Sequence, residues 1–232
     1  METRARILVW DIEASNLKAD YGILLAFGYK FLDEEDAKVL MIHDYKRYKK
    51  DRTDDSVLLE EAVRVLNSAD IWVSFYGRHY DVRFIKARMM YHRMGYLPNT
   101  PHVDLYDHTK SNMTISSGRL SNVSGFLKLS TEKTPITGDI WIRALAGDKE
   151  SLEYIRDHCK RDVLLTEELY RVLGPAVIRH PRVSYNVEPC SYCGGKVQRR
   201  GYCPPLAGQK RPRIRVCCNQ CGRWEIRTES SS

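Results

Sequence analysis

The chain has 232 residues, of which 43% are hydrophobic, enough for one large domain with a buried core and a small second one. No apolar run approaches the ~20 residues that span a bilayer, and Met1-Glu2-Thr3-Arg4 lacks the apolar stretch of a secretory signal. A soluble intracellular protein with no membrane contact, cytoplasmic or nucleoid-associated, is expected. The net charge of +7 is unevenly placed: residues 179–232 carry 11 Lys or Arg against three Glu, while residues 1–178 carry 26 basic against 27 acidic side chains. A basic appendage on a near-neutral body suggests a polyanionic partner, most simply nucleic acid, since phosphate contacts by Lys and Arg release counterions.

The first predicted element is a buried strand over Arg6 to Ile12, running into Trp10-Asp11-Ile12-Glu13. Strand side chains alternate faces, so Asp11 and Glu13 point the same way while Ile12 enters a core. Two carboxylates that close repel unless they share a proton or a cation, which makes the pair a candidate for a hard divalent metal. Gly22 to Phe31 reads as a second strand and Val39 to Tyr45 as a third. After Asp54-Asp55, residues Leu58, Leu59, Ala62, Val63 and Leu66 share a helical face, with the acids suiting the helix dipole. Ile71 to Phe75 is a further buried strand, and Asp81 to Met94 a helix stopped by Gly95 and Pro98. Shorter helices are expected at Leu120 to Leu127 and Ile140 to Ala146. The strongest helix runs from Lys149 to Leu173, capped by Asp148 and stopped by Gly174-Pro175. Asp104 and Asp139 read as caps or turn residues. This is an α/β domain over residues 1–176, followed by a Pro-punctuated connector over 177–187 and a separate module over 188–232.

In that module, Cys190-Ser-Tyr-Cys193-Gly194 and Cys218-Asn-Gln-Cys221-Gly222 form two Cys-x-x-Cys-Gly knuckles. Each offers two thiolates, with a glycine permitting the tight turn behind it, and four sulfurs complete a tetrahedral structural zinc site. The intervening Gly201, Pro204, Pro205 and Gly208 suit an extended hairpin. A disulfide pair competes poorly inside a cell, and Cys217 in place of Cys218 breaks the spacing. Cys159, Cys203 and Cys217 are expected to be free thiols. A closed zinc site has no open position, so the module should bind rather than catalyse. Arg199, Arg200, Lys210, Arg211, Arg213 and Arg215 supply cations for a nucleic-acid strand, with Tyr192 and Tyr202 interspersed. Trp224 is expected in the small core.

If Asp11 and Glu13 hold metal, other acids must converge on them. Asp81 follows a strand break in Phe75-Tyr76-Gly77-Arg78-His79-Tyr80-Asp81, where a new helix can present it. Asp162 lies on the strongest helix one turn beyond His158, so the two share a face. Asp157 lies off that face, and a core role suits Tyr154 better than a catalytic one.

Asp11-Ile12-Glu13, the Gly77 to Asp81 segment with Phe84, and Asp162 on the last helix together resemble the three motifs of the DEDD 3′-to-5′ exonucleases. The resemblance spans residues 6 to 173 in order and implies a ribonuclease H-like mixed sheet flanked by helices. The spacing of His158 and Asp162 and the Cys-x-x-Asp-Val-x-Leu pattern are similar to the tyrosine branch, which includes proofreading domains of family B DNA polymerases. His158 stands at the tyrosine position, and Tyr76 stands where an Asn often precedes the glycine. The resemblance implies a two-metal-ion phosphodiesterase using Mg²⁺ or Mn²⁺ held by Asp11, Glu13, Asp81 and Asp162, with His158 orienting or deprotonating the water. The expected partner is DNA or RNA, DNA before RNA, and the zinc module also offers a surface for a protein partner. Two other readings stay open: a structure-selective endonuclease of the same fold, and a non-catalytic nucleic-acid-binding protein with a vestigial acid site.

Overall fold

The computed structural model describes residues 5–97, 99–174, 181, 189–203 and 213–228. Its main sheet begins with three antiparallel strands, β1 (Ile7–Ala14), β2 (Leu24–Phe31) and β3 (Lys38–Met41). After α1 (Ser56–Asn67), β4 (Ile71–Ser74) adds parallel to β1. After α2 (Asp81–Tyr91), β5 (His102–Asp104) adds parallel to β4, giving the order β3-β2-β1-β4-β5. Helices α3 (Leu105–Asn112), α4 (Leu120–Phe126), α5 (Gly138–Leu145) and α6 (Lys149–Leu173) complete the domain.

The period of two along β1 divides the core. Leu8, Trp10 and Ile12 pack in one cluster with Leu58, Leu59 and Leu66 of α1 and Phe84 and Ile85 of α2. Val9 joins a second cluster with Val163, Leu165 and Leu169 of α6. Asp11 and Glu13 share the Val9 face and therefore look toward α6. A buried ion pair, Lys30 Nζ to Glu167 Oε2 at 2.6 Å, fastens β2 to the same helix.

Several expectations are corrected. The third strand stops at Met41 rather than Tyr45, because the Asp44 carboxylate accepts the Met41 N–H at 2.9 Å and turns the chain into a 3₁₀ turn. Asp55 stands at the N-terminal cap of α1, where it suits the helix dipole as expected, but it does more than that. It is fully buried, accepts the Leu24 N–H at 2.7 Å and holds Arg88 at 2.8 Å, joining β2, α1 and α2. The three-residue β5 and α3 had no visible signal in the sequence, since so short a strand shows no periodicity. Asp104 caps α3 through Tyr106 N, and Asp148 caps α6 through Ser151 N.

The C-terminal module is a three-stranded antiparallel sheet of β6 (Val197–Cys203), β7 (Arg213–Cys218) and β8 (Trp224–Thr228). Its core is Val197, Ile214, Val216, Cys190 and Cys218. Trp224 is not in that core. It lies opposite Cys217 in the β7–β8 register, on the other face from Val216 and Cys218, and is 54% exposed. The connector, apart from Pro181, and the hairpin tip with Pro204, Pro205, Gly208, Lys210 and Arg211 lie outside the described residues. Among the described residues no helix is long and apolar enough to cross a membrane.

Candidate active site and cysteine cluster

Asp11 and Glu13 project from the carboxyl end of β1 toward α6, and the approach of α6 depends on Gly28. Asp11 pairs with Gly28 across the sheet, and a Cβ at Gly28 would lie 2.7 Å from Cys159 Sγ and 2.9 Å from Val163 Cγ2. The absent side chain lets the helix sit directly on the strands. His158 and Asp162, flanking Cys159 and Val163, are thereby carried to the β1 acids. His158 Nε2 lies 3.5 Å from Glu13 Oε1 and 3.8 Å from Asp162 Oδ2, and its Nδ1 is 2.8 Å from Thr134 Oγ1. Asp157 is exposed and takes no part. Tyr154 donates its hydroxyl to Pro135 O at 2.5 Å.

Asp81 arrives from the other side of β1, as the first residue of α2. The Ile12 N–H donates to Asp81 Oδ1 at 3.3 Å, joining the strand end to the helix start. The preceding turn holds Tyr76 at φ 67°, a left-handed conformation unfavourable for a bulky residue and easier for Asn. Buried Asp104 offsets that strain by accepting Tyr76 N–H and Arg78 N–H, both at 2.8 Å, while it caps α3.

A cation completes the group. Lys133 Nζ lies 2.5 Å from Asp162 Oδ2, on a segment that runs antiparallel along α6. Glu168 accepts Ser130 N–H at 2.7 Å and Thr131 N–H at 2.9 Å at one end, and Tyr154 holds Pro135 at the other. Lys133 and Thr134 are thus laid against Asp162 and His158. Sequence reasoning missed both, because they belong to no helix or strand and their position depends on Glu168 and Tyr154, distant in sequence.

The electrostatics follow from four buried or half-buried carboxyls at one place. Burial raises the Asp11 carboxyl well above its usual range, reinforced by Asp81, Glu13 and Asp162 and opposed by Lys133. Burial, then Asp162, does the same to Glu13. Burial raises Asp81 to about 7. Burial lowers the His158 pKa, so its imidazole is neutral near pH 7. Burial works against the Lys133 charge, but Asp162, Asp11 and Glu13 outweigh it and raise its pKa. Asp11, Glu13 and Asp81 therefore ionise together only with more positive charge than one lysine supplies. Asp162 Oδ1 is buried and has no hydrogen-bond partner among the described residues, as suits a metal-directed oxygen. Glu13, His158 and Asp162 present ligand atoms within 4.8 Å of one another, and so do Asp11, Glu13 and Cys159. The Cys159 thiol is an unsuitable ligand for Mg²⁺ or Mn²⁺, which prefer oxygen donors, and its Sγ lies 3.9 Å from the Asp11 backbone carbonyl.

Beside the acids opens a cleft of about 550 Å³. Asp11, Asp162 and Lys133 line it on one side, Phe75, Tyr76 and Tyr106 on another, with Arg119 at its rim. Tyr76 stacks on His79 at 4.9 Å between centroids and meets Tyr106 edge-on at 4.8 Å.

In the C-terminal module, Cys190, Cys193, Cys218 and Cys221 bring all four sulfurs within 4.8 Å of one another. Cys193 and Cys218 are 3.5 Å apart, and Cys190 and Cys221 are 3.8 Å apart. A tetrahedral ion with about 2.3 Å bonds to sulfur needs edges of about 3.8 Å, so the cluster fits a metal. Gly194 and Gly222 take φ 69° and 71°, the left-handed turn that each knuckle requires. Cys159, Cys203 and Cys217 are free. Of the expected cationic residues, Arg200 and Arg215 are exposed, Arg213 is partly buried, and Arg199 packs its guanidinium 4.2 Å from the Tyr202 ring centroid.

The five-stranded mixed sheet with α6 across the β1 acids is a ribonuclease H-like fold. Residues 8–174 match the family described as the RNase H superfamily, and the chain belongs to it. The fold is also similar to the family B DNA polymerase from the hyperthermophilic archaeon Pyrobaculum calidifontis, with a TM-score of 0.61 and 17% identity. That match covers 75% of this chain and 25% of the polymerase, so the chain spans about a quarter of the polymerase's length. No curated protein sequence matches the chain. Superfamily membership and the convergent carboxyls together support a metal-dependent nuclease acting on nucleic acid.

Proposed function

We propose that this protein is a 3′-to-5′ exonuclease that hydrolyses phosphodiester bonds, DNA before RNA, with residues 1–176 as the nuclease domain, 177–187 as a connector and 188–232 as a zinc ribbon that engages nucleic acid. The observation that carries the reading is the meeting of Asp11, Glu13, Asp81 and Asp162 from three separate elements, with Asp162 Oδ1 left without a hydrogen-bond partner among the described residues. Those four residues would hold Mg²⁺ or Mn²⁺, which when bound supplies an activated water and charge stabilisation for in-line displacement.

The chain's own residues have distinct parts. His158, neutral and held through Nδ1 by Thr134, presents Nε2 between Glu13 and Asp162 to orient an attacking water and accept its proton. Tyr76 and Tyr106 offer ring faces and edges to the terminal base, and Arg119 and Lys133 offer charge to its phosphate. Cys190, Cys193, Cys218 and Cys221 would hold one Zn²⁺, and Arg199, Arg200, Lys210, Arg211, Arg213 and Arg215 would contact the phosphate backbone or, on the same surface, a protein partner.

The test is 5′-labelled single- and double-stranded DNA and RNA incubated with Mg²⁺ or Mn²⁺. A ladder shortening by one nucleotide at a time is expected, and Asp11→Asn should abolish it while leaving the circular dichroism spectrum and zinc content intact. Discrete internal products would replace the exonuclease with an endonuclease, and an inert wild-type protein would remove the enzyme reading.

A further inference from the structure

The ribbon and the acid cluster lie at opposite ends of the same strands. β4 and β5 run parallel to β1, whose carboxyl end carries Asp11 and Glu13. The ribbon is seated at the amino ends: Asn99 N–H donates to Asn219 O at 2.7 Å, Asn99 Nδ2 lies 3.1 Å from Cys217 Sγ, and Lys196 pairs with Asp70 at 3.5 Å. β5, the last strand of the sheet, runs from the ribbon end to the cleft end and offers a direct path for a strand of nucleic acid held by both. From Asn99 to Asp104 that is about 17 Å at ~3.3 Å per residue.

The open edge of β5 is built for such a strand. In a parallel ladder alternate residues turn their polar groups to the neighbour, and Pro101 O receives the Trp72 N–H at 2.8 Å, so His102 O faces outward. The Arg78 Nη2 donates to that carbonyl at 2.5 Å, laying the guanidinium along the edge with its side chain 54% exposed. One step toward the ribbon, exposed Arg200 donates through Nη2 to Asn99 O at 3.2 Å. In the other direction, Lys110 stands 5.7 Å over the Tyr106 ring and Arg119 rims the cleft. Of the acids beside Arg78, Asp104 is buried and accepts the Arg78 N–H, while Asp107 lies 2.7 Å from His79 Nε2 and 3.7 Å from Arg78 Nη1, so its charge is already shared. Arg200 and Arg78 thus hold two carbonyls of one segment, Asn99 and His102, so both cations lie along a single edge, as a single phosphate backbone requires.

We propose that the open edge of β5, with Arg78 and Arg200 along it, is a binding track that carries one nucleic-acid strand between the cleft and the ribbon. The track rests on the nuclease reading of the cleft and makes the ribbon a holder of the distal part of the strand, away from the reacting end.

The test compares binding of single-stranded DNA of about 4 and about 16 nucleotides, which bracket the site sizes of single-strand grooves. Fluorescence anisotropy is read across a salt series, with Ca²⁺ replacing Mg²⁺ to keep the probe intact. Wild-type protein should bind the longer probe more tightly, and the double variant Arg78→Ala, Arg200→Ala should lose that gain, with its salt slope on the longer probe reduced by about 1.4, or ~0.7 per lost phosphate contact. Arg78→Lys should retain most of the slope. An unchanged length gain and slope in a folded double variant overturn the track while leaving the nuclease reading intact. Failure of wild type to bind either probe overturns both, and an equal loss on a 16-base-pair duplex would overturn the assignment to a single strand.

Discussion

Lys133 Nζ lies 2.5 Å from Asp162 Oδ2, and the contact places a cation inside the carboxyl group that the metal ions would otherwise neutralise. The lysine side chain is 33% exposed and Asp162 is 8% exposed, so the pair is intermediate between a surface and a buried one. Lys133→Met should cost the metal-free protein about 1–2 kcal/mol, below the 3–5 kcal/mol of a fully buried pair. It should also tighten divalent binding at least about fivefold, because a repelling charge is gone. Urea unfolding and Mn²⁺ titration check the two effects, and weaker Mn²⁺ binding would contradict the second.

Stability of the metal-free protein should fall as pH rises from about 6.5 to 8. Asp11 and Glu13 are raised well above their usual range, chiefly by burial, and Asp81 to about 7. A carboxyl whose folded pKa exceeds its unfolded value holds extra protons in the folded state, so folding weakens as pH rises through the folded value. His102, held by burial at about 3, and His158, also lowered by burial, act the opposite way, but only below about 6.5, where unfolded histidine charges. The decline should be on the order of 1–3 kcal/mol in unfolding measurements and should vanish with saturating Mg²⁺. A metal-free protein at least as stable at pH 8 would count against the acid cluster as described.

Gly28→Ala should damage the site from a distance. Its Cβ would meet Cys159 Sγ at 2.7 Å and Val163 Cγ2 at 2.9 Å, so α6 must lift from β2. Overpacking of this kind costs about 1–3 kcal/mol. A shift of ~1 Å at His158 and Asp162 should slow cleavage on the order of a hundredfold. Cleavage at the wild-type rate would mean that α6 yields without moving its acids.

Arg88→Met should destabilise the domain by about 3–5 kcal/mol and leave divalent affinity unchanged. Arg88 and fully buried Asp55 form a two-pronged pair at 2.9 and 2.8 Å, and His92 Nε2 lies 2.6 Å from the same carboxylate. The methionine would leave Asp55 with less compensation among β2, α1 and α2. Thermal unfolding with and without Mn²⁺ separates the stability loss from any effect on the site.

Removal of zinc should affect the C-terminal module and spare the nuclease domain. Burial pushes the Cys218 thiol to about 12, so without a cation that thiol stays protonated and the knuckles lose their link. Cys218→Ser should reduce metal content from about one zinc per chain to none. Helical circular dichroism, dominated by residues 56–173, should persist. Retention of stoichiometric zinc would move the ligand set elsewhere.

The alternation Val9-Trp10-Asp11-Ile12-Glu13 is enough to place two acids on one face, because strand geometry has a period of two whatever surrounds it. The α6 boundaries and its Asp148 cap were equally local, as were the two Cys-x-x-Cys-Gly knuckles, whose spacing and glycines are properties of a turn. Tertiary structure decided the rest. β5 exists because β4 offers it an edge, and Trp224 is exposed because its register with Cys217 puts it opposite the sulfur core. Lys133 reaches Asp162 only because Glu168 and Tyr154 hold its loop, and Asp81 reaches the strand through the Ile12 N–H. Local spacing therefore determined which side chains could share a face, while contacts between residues far apart in the chain decided which faces met, because close approach depends on packing that no single segment contains.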